Sequence, residues 1–312
     1  MRFPQGSGAC GLVDNQGMSH TLSLRHFLLA LAVVAVWGTN FVVIKLALGQ
    51  MPPLLFATLR FAVVVVPAVF FLPRPAVLWR NLAAYGLLIG VGQFGLLFVA
   101  MNGHISPGLA SLVIQVQVFF TIGLAMWMAG ESLQRVQWVA LTLGAAGLAV
   151  IVMHTDGSTT PLGLALILCA AMAWAGGNLV SRAAGRINMV AYVVWSSLFA
   201  VPPLLALSLL LEGWEAVAVG LQHADLGAWA AVAWQAWGNS IFGYAAWGWL
   251  LSRYSAATIT PMALLVPLFG MASSAWWLHE SLPLWKLGAT ALVLAGLALN
   301  LLWPWWVRQN NR

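Results

Sequence analysis

Two groups of polar and aromatic residues lie near the middle of long apolar stretches, where contact with lipid would make them costly. Trp37 and Asn40, Gln93, and Gln115 with Gln117 form the first group; Trp174 and Asn178, then Asn239, Ser240, Tyr244 and Trp247, form the second. Their chemistry is that of holding a molecule rather than making or breaking bonds. Amides and a hydroxyl hydrogen-bond a small polar solute, and aromatic rings offer an ammonium a cation–π face. Trp237, Ser240, Tyr244 and Trp247 are spaced i, i+3, i+7 and i+10, which on an α-helix is one face. The same amides serve equally well as hydrogen bonds between helices. For any single amide that alternative stays open, but recurrence at one depth in both halves favours a site.

Two cations, Lys45 and Arg60, lie well inside apolar stretches. Both fall in the outer third of their stretches, where snorkelling to the headgroups is affordable. That makes them structural; the alternative is attraction of a substrate carboxylate near an outer gate. No Asp or Glu lies mid-stretch, so a buried carboxylate relay for protons is not expected. Glu131 and Glu280 sit at junctions, where each is expected to cap the following helix or to pair with a nearby cation. No His-Glu-x-x-His, Gly-x-Ser-x-Gly or phosphate-binding loop occurs. Cys10 and Cys169 supply neither a disulfide framework nor a metal cluster. No catalytic residue, metal or cofactor is therefore expected. A membrane-embedded enzyme would need a nucleophile–base pair or metal ligands at one depth.

These residues are positioned by an integral membrane protein. The chain of 312 residues is 62% hydrophobic and 6% charged, against about a quarter charged in soluble domains. A net charge of +6 invites a nucleic-acid partner, but the basic residues are scattered singly, as membrane orientation explains. The expected partners are the bilayer and a small molecule, with a homo-oligomer left open. Ten stretches reach the roughly 20 residues a spanning helix needs: 27–48, 53–72, 79–101, 106–128, 134–153, 162–183, 189–211, 228–250, 255–277 and 284–303. Open strands are excluded there, because lipid offers the backbone no partners. The expected fold is all-α. Residues 1–26 read as a polar tail, with Met18 an alternative start, and 304–312 as a second tail.

The chain also contains itself twice. Glu131, Leu133 and Gly147 recur as Glu280, Leu282 and Gly296, each 149 residues on, and Ser106 recurs as Ser255. Trp37-Gly38-Thr39-Asn40 is echoed by Trp174-Ala175-Gly176-Gly177-Asn178. The halves are 27–153 and 162–303. Such duplication belongs to carriers in which two like bundles rock about a shared site, and a structural or sensory membrane protein does not explain it. With the amino terminus inside, ten Lys or Arg fall on the cytoplasmic side and only Lys286 outside. Both termini are then cytoplasmic, and five helices per half require the second to be inverted. Trp79, Trp127, Trp138, Trp229, Trp276, Trp277, Trp285, Trp303, Trp305 and Trp306 fall near stretch ends as interfacial anchors. Gly86 and Gly90 permit close helix contact. Pro261 and Pro267 interrupt the ninth stretch.

The run Trp37 to Lys45, followed by Met51-Pro52-Pro53 and Leu59-Arg60-Phe61, resembles the start of EamA-type carriers of the drug/metabolite transporter superfamily. Gly108 to Val113 with Gln115, Gln117 and Phe119-Phe120 resembles the bacterial O-acetylserine/cysteine exporter subgroup. So do Gly243-Tyr244, Trp247-Gly248, Arg253-Tyr254 and Leu264 to Pro267. The resemblance spans nearly everything beyond residue 26. It implies a ten-helix inner-membrane exporter with a central cavity lined by the first, third, fourth, sixth, eighth and ninth stretches. It also supplies a substrate class, amino acids and related metabolites. A broad drug or aromatic-metabolite exporter is the alternative within carriers.

Overall fold

The computed structural model describes residues 22–129, 135–154, 159–185, 187–254 and 259–310. Glu131, Ser255, Cys10 and Met18 lie outside them. The regular structure of the described residues is all helical, without strands. Among the described residues seven helices are long and apolar enough to cross a membrane, and two shorter apolar helices, Met262–Leu278 and Leu284–Asn300, follow.

Side-chain chemistry sets several helix starts. Ser23 Oγ accepts from His26 N at the start of the first helix, Leu24–Ala47, and Thr160 Oγ1 accepts from Gly163 N at the start of Pro161–Ala183. Asn188 accepts from Val190 N and Ala191 N before Met189–Leu207. Each satisfies amide groups that a helix start leaves unpaired. The second helix, expected over 53–72, stops as α-helix at Val65. Pro67 lacks an N–H and keeps Val66 out of the helical region. A helix the sequence did not suggest, Trp214–His223, follows Gly213 at φ 85°.

Among the described residues six segments depart from α geometry, and four of them lie in related places in the two halves around the bundle centre. Leu87–Gly95 in the third segment and Trp234–Phe242 in the eighth are π-helical. Ile114–Val116 in the fourth and Thr260–Leu265 in the ninth are 3-10 helical. Pro261 accounts for the last. The other three carry no proline.

The segments pair first with ninth, sixth with fourth, third with sixth, and eighth with first. Second packs on seventh, fourth on ninth and fifth on tenth. Exchanging the two halves maps this pairing onto itself, so the duplication visible in the sequence is also a duplication of packing. Close approach depends on glycine. A methyl on Gly86 would sit 2.1 Å from Ser196 O, and one on Gly90 2.2 Å from Ala200 Cβ. The pair seen in the sequence is thus the contact between the third and seventh segments. Trp79, Trp127, Trp138, Trp229, Trp276 and Trp277 are all exposed on the outer surface of the bundle.

Candidate functional site

The irregular segments surround a cavity of about 450 Å³, within the range of small-molecule sites. Trp37, Asn40, Gln93, Gln115, Gln117, Trp174, Asn178, Asn239, Tyr244 and Trp247 all line it. Both halves contribute. Trp37 Nε1 donates to Asn239 O at 3.2 Å, which joins the first segment to a π turn of the eighth. The Trp37 ring also lies 5.2 Å from that of Trp247 and 6.0 Å from that of Tyr244.

The amides divide by what they touch. Asn178 Nδ2 donates to Gln117 Oε1 at 2.9 Å and to Thr121 Oγ1 at 3.3 Å. That pair is glue between the fourth and sixth segments. Asn239 Nδ2 reaches Gln235 Oε1 at 3.5 Å, a weak contact within one helix. Asn40 Oδ1 and Gln93 Oε1 are buried without a hydrogen-bond partner among the described residues, and both residues line the cavity. Unsatisfied buried acceptors are costly to keep. Both side chains form part of the cavity wall, with the oxygens themselves buried in it.

Three residues depart from the sequence expectation. Trp237 is 52% exposed and Ser240 is turned away from the main cavity, although Tyr244 and Trp247 line it. The one-face spacing assumed 3.6 residues per turn, and the i→i+5 bonding of Trp234–Phe242 breaks that phase. Arg60 does not snorkel. It is 1% exposed, and its Nη2 donates to Ser240 Oγ at 3.0 Å. Lys45 is half-buried near the end of the first helix and lines neither cavity. Tyr85, Phe41 and Phe94 line the cavity as well. In the sequence they are ordinary apolar-stretch aromatics, and nothing in their spacing distinguishes them.

The cavity reaches Met189, the first residue of the seventh helix, at one end of the bundle. Carboxylates knit the other end. Glu280 Oε1 accepts from Ser106 Oγ and, at 3.3 Å, from Lys286 Nζ; Oε2 accepts from Ser274 Oγ and, at 3.0 Å, from Gly108 N. Glu280 thus pairs with a cation, as expected. The helix it caps is the fourth rather than the one that follows it. Its backbone explains the reach: His279 at φ 52° ends Val266–Leu278, and Glu280 N bonds back to Ser274 O at 3.3 Å. Lys286, placed by the sequence in an outer loop, is buried within this cluster. Glu212 does the same for the second helix, accepting from Leu54 N at 2.6 Å, Leu55 N at 3.0 Å and Ser208 Oγ at 2.6 Å. Both carboxylates come from the second half and stabilise helix starts of the first, where the dipole favours negative charge. At the same end, Asp225 caps Leu226–Ala233. The Ala228 N–H, and then Gln50, hold its carboxyl below the usual range.

Known proteins agree with this geometry. The chain is 41% identical over 285 residues to a probable amino-acid metabolite efflux pump of Salmonella typhimurium, covering 89% of this chain and 95% of that one. It is 39% identical over the same length to the protein of that description in Escherichia coli, again 89% and 95%. An uncharacterized inner membrane transporter of Escherichia coli matches at 27% over 76% of this chain and 77% of its own. A crystal structure shares the fold, with TM-score 0.57 at 18% identity over 88% of this chain and 96% of that one. The model of the EamA-like transporter family matches residues 24–153 and again 161–302. A chain matched twice by one transporter model, with a cavity built where the two copies meet, belongs to the EamA-like transporter family.

Proposed function

We propose that this protein exports small amino-acid metabolites, such as cysteine or O-acetylserine, across the bacterial inner membrane by alternating access. Ten spans in two inverted five-helix repeats, with both termini cytoplasmic, are the topology this requires. The observation that carries the reading is the pair of unpartnered acceptors, Asn40 Oδ1 and Gln93 Oε1, buried in the wall of a cavity of about 450 Å³ that Trp37, Trp174, Tyr244 and Trp247 also line. Carbonyl oxygens and aromatic faces together suit an ammonium group. The two relatives at 41% and 39% identity, both probable amino-acid metabolite efflux pumps, support the substrate class. The cavity reaches the Met189 end while Glu212 and Glu280 tie the other, which in this topology is a conformation facing the cytoplasm. Accumulation of labelled cysteine and O-acetylserine in inverted vesicles tests the reading. Vesicles with the protein should accumulate either compound faster than vesicles without it. Equal rates for both compounds would sink the proposal.

The aromatic wall supports a second reading, a carrier of aromatic metabolites or drugs. It predicts that aromatic amines compete with cysteine in the same vesicles.

A further inference from the structure

Arg60 is a full charge in an apolar place. Its guanidinium carbon lies 3.5 Å from the Phe94 ring centroid and 5.1 Å from that of Phe61. Among the described residues its one hydrogen bond goes to a neutral hydroxyl, Ser240 Oγ. Nε and Nη1 reach no acceptor, and among the described residues no carboxylate pairs with it. Cation–π contacts and one neutral hydrogen bond offset only part of the cost of burying an ion. A guanidinium left in this state lacks its counter-ion.

The surroundings indicate where a counter-ion would come from. Arg60, Ser240 and Phe61 line a narrow crevice of about 10 Å³, room for roughly one water molecule. Tyr85, Phe94 and Tyr244 line both this crevice and the main cavity. They are the partition between the guanidinium and the space whose wall includes Asn40 and Gln93. Phe94 and Tyr85 flank or belong to the π-helical stretch of the third segment, a geometry frequent at functional sites. The other deep cations are already accounted for: Lys286 is bonded to Glu280 and Lys45 lines neither space.

We infer that Arg60 is the carboxylate-recognition residue of the transport site, closed off here by Phe94, Tyr85 and Tyr244. When the partition parts, the substrate's carboxylate takes up the N–H groups that nothing in the protein fills. Its ammonium stays with Asn40 and Gln93. The substrate class is then the zwitterionic α-amino acid, and a plain amine or cationic drug is not carried well. The inference rests on the main cavity being the substrate site.

The test compares L-cysteine with cysteamine, which keeps the ammonium and thiol but lacks the carboxylate. Each competes against labelled O-acetylserine for the purified protein in proteoliposomes. Wild type should prefer cysteine by roughly 10–100-fold, as a charge-assisted carboxylate contact implies. Arg60→Gln should bring the ratio near one by weakening cysteine alone, and Arg60→Lys should keep part of it. Equal competition by both compounds in wild type overturns the role of Arg60 while leaving the exporter reading intact. Competition by neither removes the amino-acid site and this inference with it. An Arg60→Gln protein that loses both compounds alike would make the residue structural. If neither Arg60 variant folds, Phe94→Leu opens the partition without touching the charge. A changed cysteine affinity with cysteamine unmoved supports the site, and an equal change in both overturns it.

Discussion

Asn40 and Gln93 separate a binding role from a packing role because their oxygens have no protein partner. Replacing either with Leu removes a buried unsatisfied acceptor, so stability should hold or rise. Substrate affinity should fall by roughly 10–100-fold, the worth of one hydrogen bond to a charged group. Transport kinetics and thermal unfolding in detergent measure the two effects. Asn178→Leu should behave the opposite way, since it strips Gln117 and Thr121 of a donor. About 1 kcal/mol of stability is expected to go. Glu280 is a third case. It holds Lys286 and three other donors, so Glu280→Gln should cost about 3–5 kcal/mol, as when one partner of a buried pair is removed. The yield of folded protein should drop while turnover per folded molecule persists. A well-folded Glu280→Gln variant with no turnover would instead make this carboxylate part of the transport step.

At the scale of helices, the fifth and tenth segments cross at the repeated glycines Gly147 and Gly296. A methyl on Gly147 would meet Val293 Cγ2 at 2.6 Å and Ala289 O at 2.9 Å, and one on Gly296 would meet Ala140 O at 2.6 Å. Backbone atoms cannot yield as side-chain ends can. Each Gly→Ala change should therefore cost about 1–3 kcal/mol. Gly123→Ala, with nothing within 4 Å of the added methyl, should leave unfolding temperature unchanged or slightly raised. The sequence made these glycines visible through their 149-residue offset, because a duplicated contact leaves a duplicated residue. It also made the cavity amides visible, because a polar group in an apolar stretch has few uses. The π segments were not legible. Leu87–Gly95 and Trp234–Phe242 contain no breaker that forces an i→i+5 turn, so a 3.6 period put Trp237 on the wrong face. Arg60 was misread for a related reason. Depth alone allowed snorkelling, and only the packing of Phe94 and Ser240 around it shows that it stays buried.

For the whole molecule, the proposed orientation with both termini cytoplasmic rests on the charge distribution. Ten Lys or Arg would lie on the cytoplasmic side against Lys286 on the other, and Lys286 is buried beside Glu280 rather than offered to the headgroups. That strengthens the asymmetry. A cytoplasmic reporter fused after Arg312 should be active and a periplasmic phosphatase there inactive. The reverse pattern would contradict an even number of spans from a cytoplasmic amino terminus.

The central claim is that residues from both halves enclose one substrate site. Single Cys replacements at Trp37, Asn40, Gln93, Gln115, Trp174, Asn239 and Tyr244, with Cys10 and Cys169 removed, test it most directly. Small hydrophilic thiol reagents should label these positions, and cysteine-free substrate such as O-acetylserine should slow the labelling at positions from both halves together. Folded variants that stay inert to the reagents, or that label at rates indifferent to substrate, would contradict it.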